Sequence, residues 1–379
     1  MEEKRCNRCI MPEKYPGIRF NSEGICSYCT SSDKTNEATK TDVFDKDKLI
    51  TLIGSGKSRG DYDCVVPVSG GKDSIYVLYY AVRHLNLRPL AVSYSSGFQT
   101  QMALENINNA CKALNVTCII EKADKNVQDK LFRESLRISK TIGSYVRTCL
   151  NCSTLIKAIP MKVAKEKKIP FILWGDSIRE SVRLVKMMSK KETTRYEDIR
   201  SRSLITMISE KISRLREVNM TPYKLICIFP RLVRYRFLSF SQMLSLGVPY
   251  KNILFPNKEF ASPKNGPQII HFFDYIDWDP VKDLTILEKE LGWKHPPDRT
   301  SRFDCCLYCF ANHGTFQTDG ITADGIIACN LIREGLLSRE DALKTEQQRA
   351  QIIEKECRDV INMCGLEDVI LPLVRKRKK

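Results

Sequence analysis

The stretch from Val65 to Tyr80, VVPVSGGKDSIYVLYY, changes its hydrophobic period within a few residues. A continuous apolar run reads as a short buried strand, DCVVPV. Two glycines, a lysine and an aspartate follow, and DSIYVLYYAVRHL then spaces its apolar side chains for a helix. Strand, glycine turn and helix make one βα unit, and the pattern recurs downstream. RPLAVSYS reads as a strand, TQMALENINNACKALN as a helix and VTCIIE as a strand; STLIKAIPMKVAKEKK then reads as a helix and IPFILWG as a strand. Alternation of this kind predicts an α/β fold, a doubly wound parallel sheet with right-handed crossovers. A ligand would lie outside the carboxyl ends of its strands.

The loop after Val68 stands at such an end. In Ser69-Gly70-Gly71-Lys72-Asp73-Ser74, successive backbone N–H groups and a helix N-terminus form an anion-binding nest, and glycines 70 and 71 allow close approach. The loop lacks the G-x-x-x-x-G-K-[ST] spacing that grips β and γ phosphates, so it is expected to address a different phosphate bond. Asp73 suits either Mg²⁺ or the helix cap.

At 379 residues the chain can bury a core without covalent staples. It shows neither an uncharged apolar run long enough for a transmembrane helix nor an apolar signal region in MEEKRCNRC, so the expected location is the cytoplasm. In a reducing compartment, 16 cysteines point to metal or catalysis rather than disulfides. Cys6-x-x-Cys9 and Cys26-x-x-Cys29 have the spacing of two knuckles facing one ion, and four thiolates in a tetrahedron suit a structural Zn²⁺. Cys149-x-x-Cys152 follows the glycine loop, and FDCCLYCFANH supplies Cys305, Cys306, Cys309 and His313.

Polar residues around 31 to 45 have the composition of a linker. The expected organisation is a zinc knuckle and linker over 1–45, an ATP-binding α/β domain over 46–183 and a basic, mainly helical substrate or partner region over 184–379. From Ser181 to Phe260 there are 16 Lys and Arg against 6 Asp and Glu, within a chain of net charge +16. Such a surface fits an anionic partner, RNA or a nucleotide-linked substrate, or simply a solvated helical face. Beyond Asp176 the strand–helix alternation is expected to stop. LWGDSIRESVRL places Gly175, Asp176, Arg179, Glu180 and Arg183 at the carboxyl edge of the sheet, where Arg179 and Arg183 suit a substrate phosphate or carboxylate. HFFDYIDWDP has the aromatic and acidic mix of a sugar or base pocket, though aromatic runs also build cores.

SGGKDS, in its strand–loop–helix context, resembles the PP-loop of the ATP pyrophosphatases, whose fold is of the adenine nucleotide alpha hydrolase-like, or HUP-like, kind. The resemblance implies cleavage between the α and β phosphates. Ser69, Gly70, Gly71 and Ser74 would bind phosphate, Lys72 would offset charge on departing pyrophosphate, and Asp73 would hold Mg²⁺ while AMP passes to an acceptor oxygen. CNRCIMPEKYPGIRFNSEGICSYC followed by YDCVVPVSGGKDS, and then LNLRPLAV, is similar to the N-acetyl sugar amidotransferases of bacterial surface-polysaccharide synthesis, such as that of lipopolysaccharide O-antigen. This similarity covers roughly residues 5 to 120 and thins afterwards. It implies conversion of an acetamido group on a nucleotide-linked sugar to an acetamidino group with ATP and ammonia. A separate glutaminase and a synthase-like channel subunit would supply the ammonia, since no glutaminase triad is legible around the four histidines.

The later cysteines point elsewhere. In PP-loop tRNA thiolases a C-x-x-C pair and a distant cysteine hold an iron–sulfur cluster, and Cys149 and Cys152 stand at a similar place in the order. Three readings stay open: a second Zn²⁺ site from Cys149, Cys152, Cys306 and Cys309; an iron–sulfur cluster or persulfide site; and unliganded core thiols. The alternative function is accordingly a sulfurtransferase acting on tRNA.

Overall fold

The structure is a computed structural model that describes residues 4–31, 45–54, 60–142, 150–176, 222–248, 266–277, 280–295 and 302–365. Five parallel strands form its sheet in the order β3-β2-β1-β4-β5: β1 Cys64–Pro67, β2 Pro89–Ser95, β3 Cys118–Lys122, β4 Phe171–Trp174 and β5 Gln268–His271. In the central strand β1, Cys64, Val65 and Val66 are buried and Pro67 partly so, because helices cover both faces of the sheet. At its amino end the Asp63 carboxylate accepts hydrogen bonds from Nε, Nη2 and the backbone N–H of Arg88, pinning β1 to β2.

One face packs against α1 (Lys46–Gly54), α2 (Lys72–Arg83), α3 (Gln101–Leu114) and α7 (Pro280–Leu291), with Phe272, Phe273 and Trp293 in the same apolar cluster. The other face packs against α5 (Leu150–Glu166) and the end of α6 (Pro222–Ser245), through Leu155, Ile159, Val163 and Met243. A sheet covered on both sides with parallel crossovers is the doubly wound arrangement that the alternating pattern predicts.

The strand β5 departs from the expectation that the alternation stops at Asp176. It is an edge strand with Gln268 exposed, Ile269 and His271 partly exposed and only Ile270 buried, so it lacks the buried apolar run that marks β1 and β4. The aromatic run that follows it turns inward. Phe272 and Phe273 lie in the core against Tyr76 and Tyr80, which is the packing role rather than a sugar pocket.

Helix α6 packs against α4 (Lys125–Ile142), burying Ile228 and Tyr235. Arg231 and Arg234 reach to 3.6 Å from the buried carboxylate of Glu134 on α4. The described residues from 302 onward form α8 Tyr308–Asp319, α9 Ala323–Arg333 and α10 Arg339–Met363. Thr322 and Ser338 cap α9 and α10 through their side-chain oxygens, as the helical pattern at the end of the sequence leads one to expect. The amino-terminal knuckle docks on these helices: Ile10, Met11 and Tyr15 share an apolar cluster with Ile321, Ile326 and Ala342. Arg339 adds hydrogen bonds to the carbonyls of Cys6 and Cys9 at 3.0–3.2 Å.

Candidate nucleotide site and metal centre

Strand order reverses between β1 and β4, so the crevice of this sheet opens at their carboxyl ends. The glycine loop leaves β1 there. Gly70 has φ +88°, and a Cβ on it would stand 2.2 Å from the carbonyl oxygen of Ala103 on α3, so only glycine fits. Ser69 and Ser74 brace the loop from within. The Ser69 N–H donates to Ser74 Oγ at 3.2 Å, the Gly71 N–H to Ser69 Oγ at 3.3 Å, and Ser74 Oγ donates to the Gly71 carbonyl at 3.0 Å.

Helix α2 begins at Lys72, immediately after the loop, and Gly71 occupies its N-cap position with no side-chain cap. Asp73 is therefore not the helix cap. Its carboxylate instead receives the Lys72 ammonium at 2.9 Å, with both side chains mostly covered. The pair leaves a cation and an anion side by side at a helix N-terminus, the combination needed to hold a polyphosphate and its divalent ion.

Gly175 and Asp176 follow β4. A Cβ on Gly175 would meet Val77 at 3.0 Å and the Asp73 carbonyl at 3.3 Å, so the chain after β4 lies directly against the start of α2. Asp176 Oδ1 is 2.7 Å from Nδ1 of His271, whose backbone pairs with Trp174 across the β4–β5 ladder. Asp176 is recognisable from sequence at this edge, but its partner is not. His271 belongs to the strand that lacks a sequence signal, and register alone brings it there. Arg179 and Arg183, the expected substrate-binding arginines, lie outside the described residues, as does Cys149.

The four amino-terminal cysteines converge. Cys6, Cys9, Cys26 and Cys29 are fully buried, and their sulfurs all lie within 4.8 Å of one another. Cys6 to Cys29 is 3.9 Å and Cys9 to Cys26 is 3.8 Å. A tetrahedron with metal–sulfur bonds of about 2.3 Å has sulfur–sulfur edges of about 3.8 Å, so the donors fit one four-coordinate ion. A four-iron cluster would need them further apart, because each thiolate then binds a different iron. Backbone N–H groups of Arg8, Cys9 and Cys26 approach Cys6 Sγ at 3.2–3.5 Å, and Arg333 of α9 points a guanidinium nitrogen at Cys9 Sγ from 3.9 Å. These donors offset thiolate charge around the ion. Through bonds among the four sulfurs, Cys6 and Cys26 sit below the ordinary thiol range, Cys26 at about 6, while Cys9 and Cys29 are pushed up.

Among the described residues this is the one group of three or more metal-ligand side chains so gathered. Cys152 lies among the residues under β1 and β2 and accepts a hydrogen bond from Gln128 at 3.3 Å. Cys306 and Cys309 lie in a different cluster, with Phe98, Phe132, Cys305, Cys357 and Cys364. Burial pushes the Cys306 thiol up to about 12, and a bond with Cys357, together with burial, raises Cys309. The segment carrying Cys305 and Cys306 is stitched to the loop after β2. The Cys306 N–H donates to the Phe98 carbonyl at 2.9 Å, and Thr100 Oγ1, which also caps α3, donates to the Phe303 carbonyl at 2.8 Å.

The fold and site define a parallel α/β protein with a glycine loop between its central strand and a helix N-terminus, and a buried cluster of four cysteines near its amino end. No family model matches the chain. An uncharacterized protein of Methanocaldococcus jannaschii, MJ1599, is 25% identical over 210 residues, which is 51% of this chain and 70% of that one. Among solved structures, the U34-tRNA thiolase NcsA from Methanococcus maripaludis with its [4Fe-4S] cluster is 14% identical, with 93% of this chain and 89% of that one covered and a TM-score of 0.35. The NH3-dependent NAD synthetase from Campylobacter jejuni, in complex with nitrate, is 13% identical over 51% of this chain and 93% of that one, with a TM-score of 0.27.

Proposed function

We propose that this chain is an ATP-consuming amidotransferase that releases AMP and pyrophosphate and converts the acetamido group of a nucleotide-linked N-acetyl sugar to an acetamidine. One observation carries the reading: the SGGKDS loop, with its Lys72–Asp73 pair, stands at the helix N-terminus on the central strand, beside the crevice that β1 and β4 open. The extended sequence similarity around it supplies the acceptor class.

The loop N–H groups and Lys72 hold the pyrophosphate, and Asp73 would hold Mg²⁺, which would screen the phosphate charge. The acceptor's carbonyl oxygen attacks the α-phosphorus and pyrophosphate leaves. Ammonia then adds to the imidate carbon, a proton is lost, and AMP departs carrying the former carbonyl oxygen. In this reading His271, which pairs with Asp176 after β4, accepts that proton. The four-thiolate centre is closed on all sides, so its ion, Zn²⁺ in this reading, maintains the fold and leaves the chemistry to the loop. Ammonia comes from a glutaminase through a synthase-like partner.

The test is to supply ATP, ammonium and a nucleotide-linked N-acetyl sugar labelled with ¹⁸O in the acetamido carbonyl. Label recovered in AMP, with an amidine product by mass spectrometry, is the expected result. ATP turnover without label transfer, or no turnover, would sink the reading. A second reading, sulfur transfer, is favoured by the thiols of Cys305, Cys306, Cys309, Cys357 and Cys364 gathered in one cluster next to the loop after β2. It predicts a visible absorption band in protein purified without oxygen, or loss of turnover on Cys309→Ser.

A further inference from the structure

The glycine loop is held from outside by a part of the chain more than 200 residues away. Trp293, two residues beyond α7, donates its indole N–H to the carbonyl of Gly70 at 2.9 Å, a sequence separation of 223. Asn106 of α3, fully buried, directs its amide at the same carbonyl from 3.3 Å. Asn106 is in turn locked by the backbone of Lys294: its amide donates to the Lys294 carbonyl at 2.8 Å, and its own oxygen accepts the Lys294 N–H at 2.9 Å. The indole is 4% exposed and packs on Phe303, whose carbonyl is the one bonded by Thr100.

A peptide plane has two ends. When the carbonyl of Gly70 is drawn toward Trp293 and Asn106, the N–H of Gly71 on the same peptide is turned the opposite way, toward the loop itself, where it donates to Ser69 Oγ at 3.3 Å. Gly70 carries little preference of its own at φ +88°, so the clamp from outside and the Ser69 bond from within hold this orientation together.

We propose that Trp293 and Asn106 are positioning residues for the pyrophosphate end of ATP, through which the segment after α7 presets the loop for its anion. The proposal rests on the reading that the loop binds the pyrophosphate portion of ATP. It makes a distinction that general loss of structure would not. Weakening the clamp disturbs ligands that carry the β and γ phosphates and spares AMP, which the loop does not grip.

The experiment compares Trp293→Phe, which keeps the ring and removes the donor, with Trp293→Leu and with wild type. Binding of a non-cleavable α,β-methylene ATP, of pyrophosphate with Mg²⁺, and of AMP is measured by calorimetry, with melting temperature and metal content as controls of fold. Losing one buried hydrogen bond at the loop is expected to weaken the analogue and pyrophosphate about tenfold in Trp293→Phe, with AMP affinity unchanged. Equal binding of all three ligands by Trp293→Phe and wild type overturns the proposal, even if Trp293→Leu binds poorly, because the ring would then act only by packing. Parallel weakening of AMP overturns it too. If wild type binds neither the analogue nor pyrophosphate, the functional reading itself fails first. Should Trp293→Phe melt early, Asn106→Ala measured the same way decides the matter by the same pattern.

Discussion

At the residue scale the site is most sensitive at Gly70. An alanine there needs both a left-handed backbone and room that the Ala103 carbonyl already occupies. Gly70→Ala is expected to abolish ATP binding and lower the melting temperature together, while Lys72→Met is expected to weaken binding with the melt unchanged. Titration calorimetry beside a thermal melt separates the two. His271 makes a different prediction. In His271→Asn the ammonia-dependent release of AMP should fall by about 10²-fold, the lower range for a lost acid–base group, and fall further than isotope exchange between ATP and pyrophosphate. Equal losses in both assays would place His271 outside the proton transfer. The loop was legible in the sequence because all of its parts are contiguous between two strongly patterned elements. His271 and Trp293 were not, since one depends on strand register and the other on a contact across 223 residues. No local pattern encodes either.

Among the elements, β1, β2 and β4 are readable from the sequence because burial on both faces favours apolar residues, and the edge strand β3 is readable because it continues the strand–helix alternation; β5, an edge strand beyond the point where that alternation stops, carries neither signal. The helices α9 and α10 were equally readable from their periodicity, but what joins them was not. Glu346 of α10, 4% exposed, accepts the N–H of Thr322 at 2.8 Å and bonds its hydroxyl at 2.5 Å, tying α10 to the N-cap of α9. Burial raises the carboxyl of Glu346 above the usual range, an effect that Asp324 reinforces and that the two Thr322 bonds and Arg5 oppose. A carboxyl raised in the folded state contributes fully below its unfolded value and loses that contribution as pH rises through the folded one. Glu346→Gln keeps the acceptor and removes the charge. Its stability relative to wild type should therefore increase from pH 5 to pH 8 in urea titrations; a difference independent of pH would contradict the assignment.

For the whole molecule, the metal centre and the carboxyl-terminal helices act as one unit. The knuckle shares its apolar cluster with α9 and α10, and Arg333 and Arg339 bond its sulfur and its carbonyls. Removing the ion leaves four thiols buried against one another and frees the loops that hold them. Chelation, or Cys9→Ser, is expected to lower the melting temperature by several degrees and to increase hydrogen exchange in α9 and α10 as well as in residues 4–31. Because protons compete with the ion for thiolates, metal content should fall on acidification. Exchange that rises in the knuckle alone would show that the two regions fold separately.

The bonds from Arg339 to the carbonyl of Cys6 join residues 333 positions apart. During synthesis, then, the knuckle leaves the ribosome long before its cover exists. Its thiols can take up an ion early, yet Ile10, Met11 and Tyr15 have no surface to rest on until α9 and α10 emerge. A nascent chain stalled before Arg339 would present an uncovered apolar patch around residues 10–15, which is what a holding chaperone recognises, and completion of α10 would dismiss it.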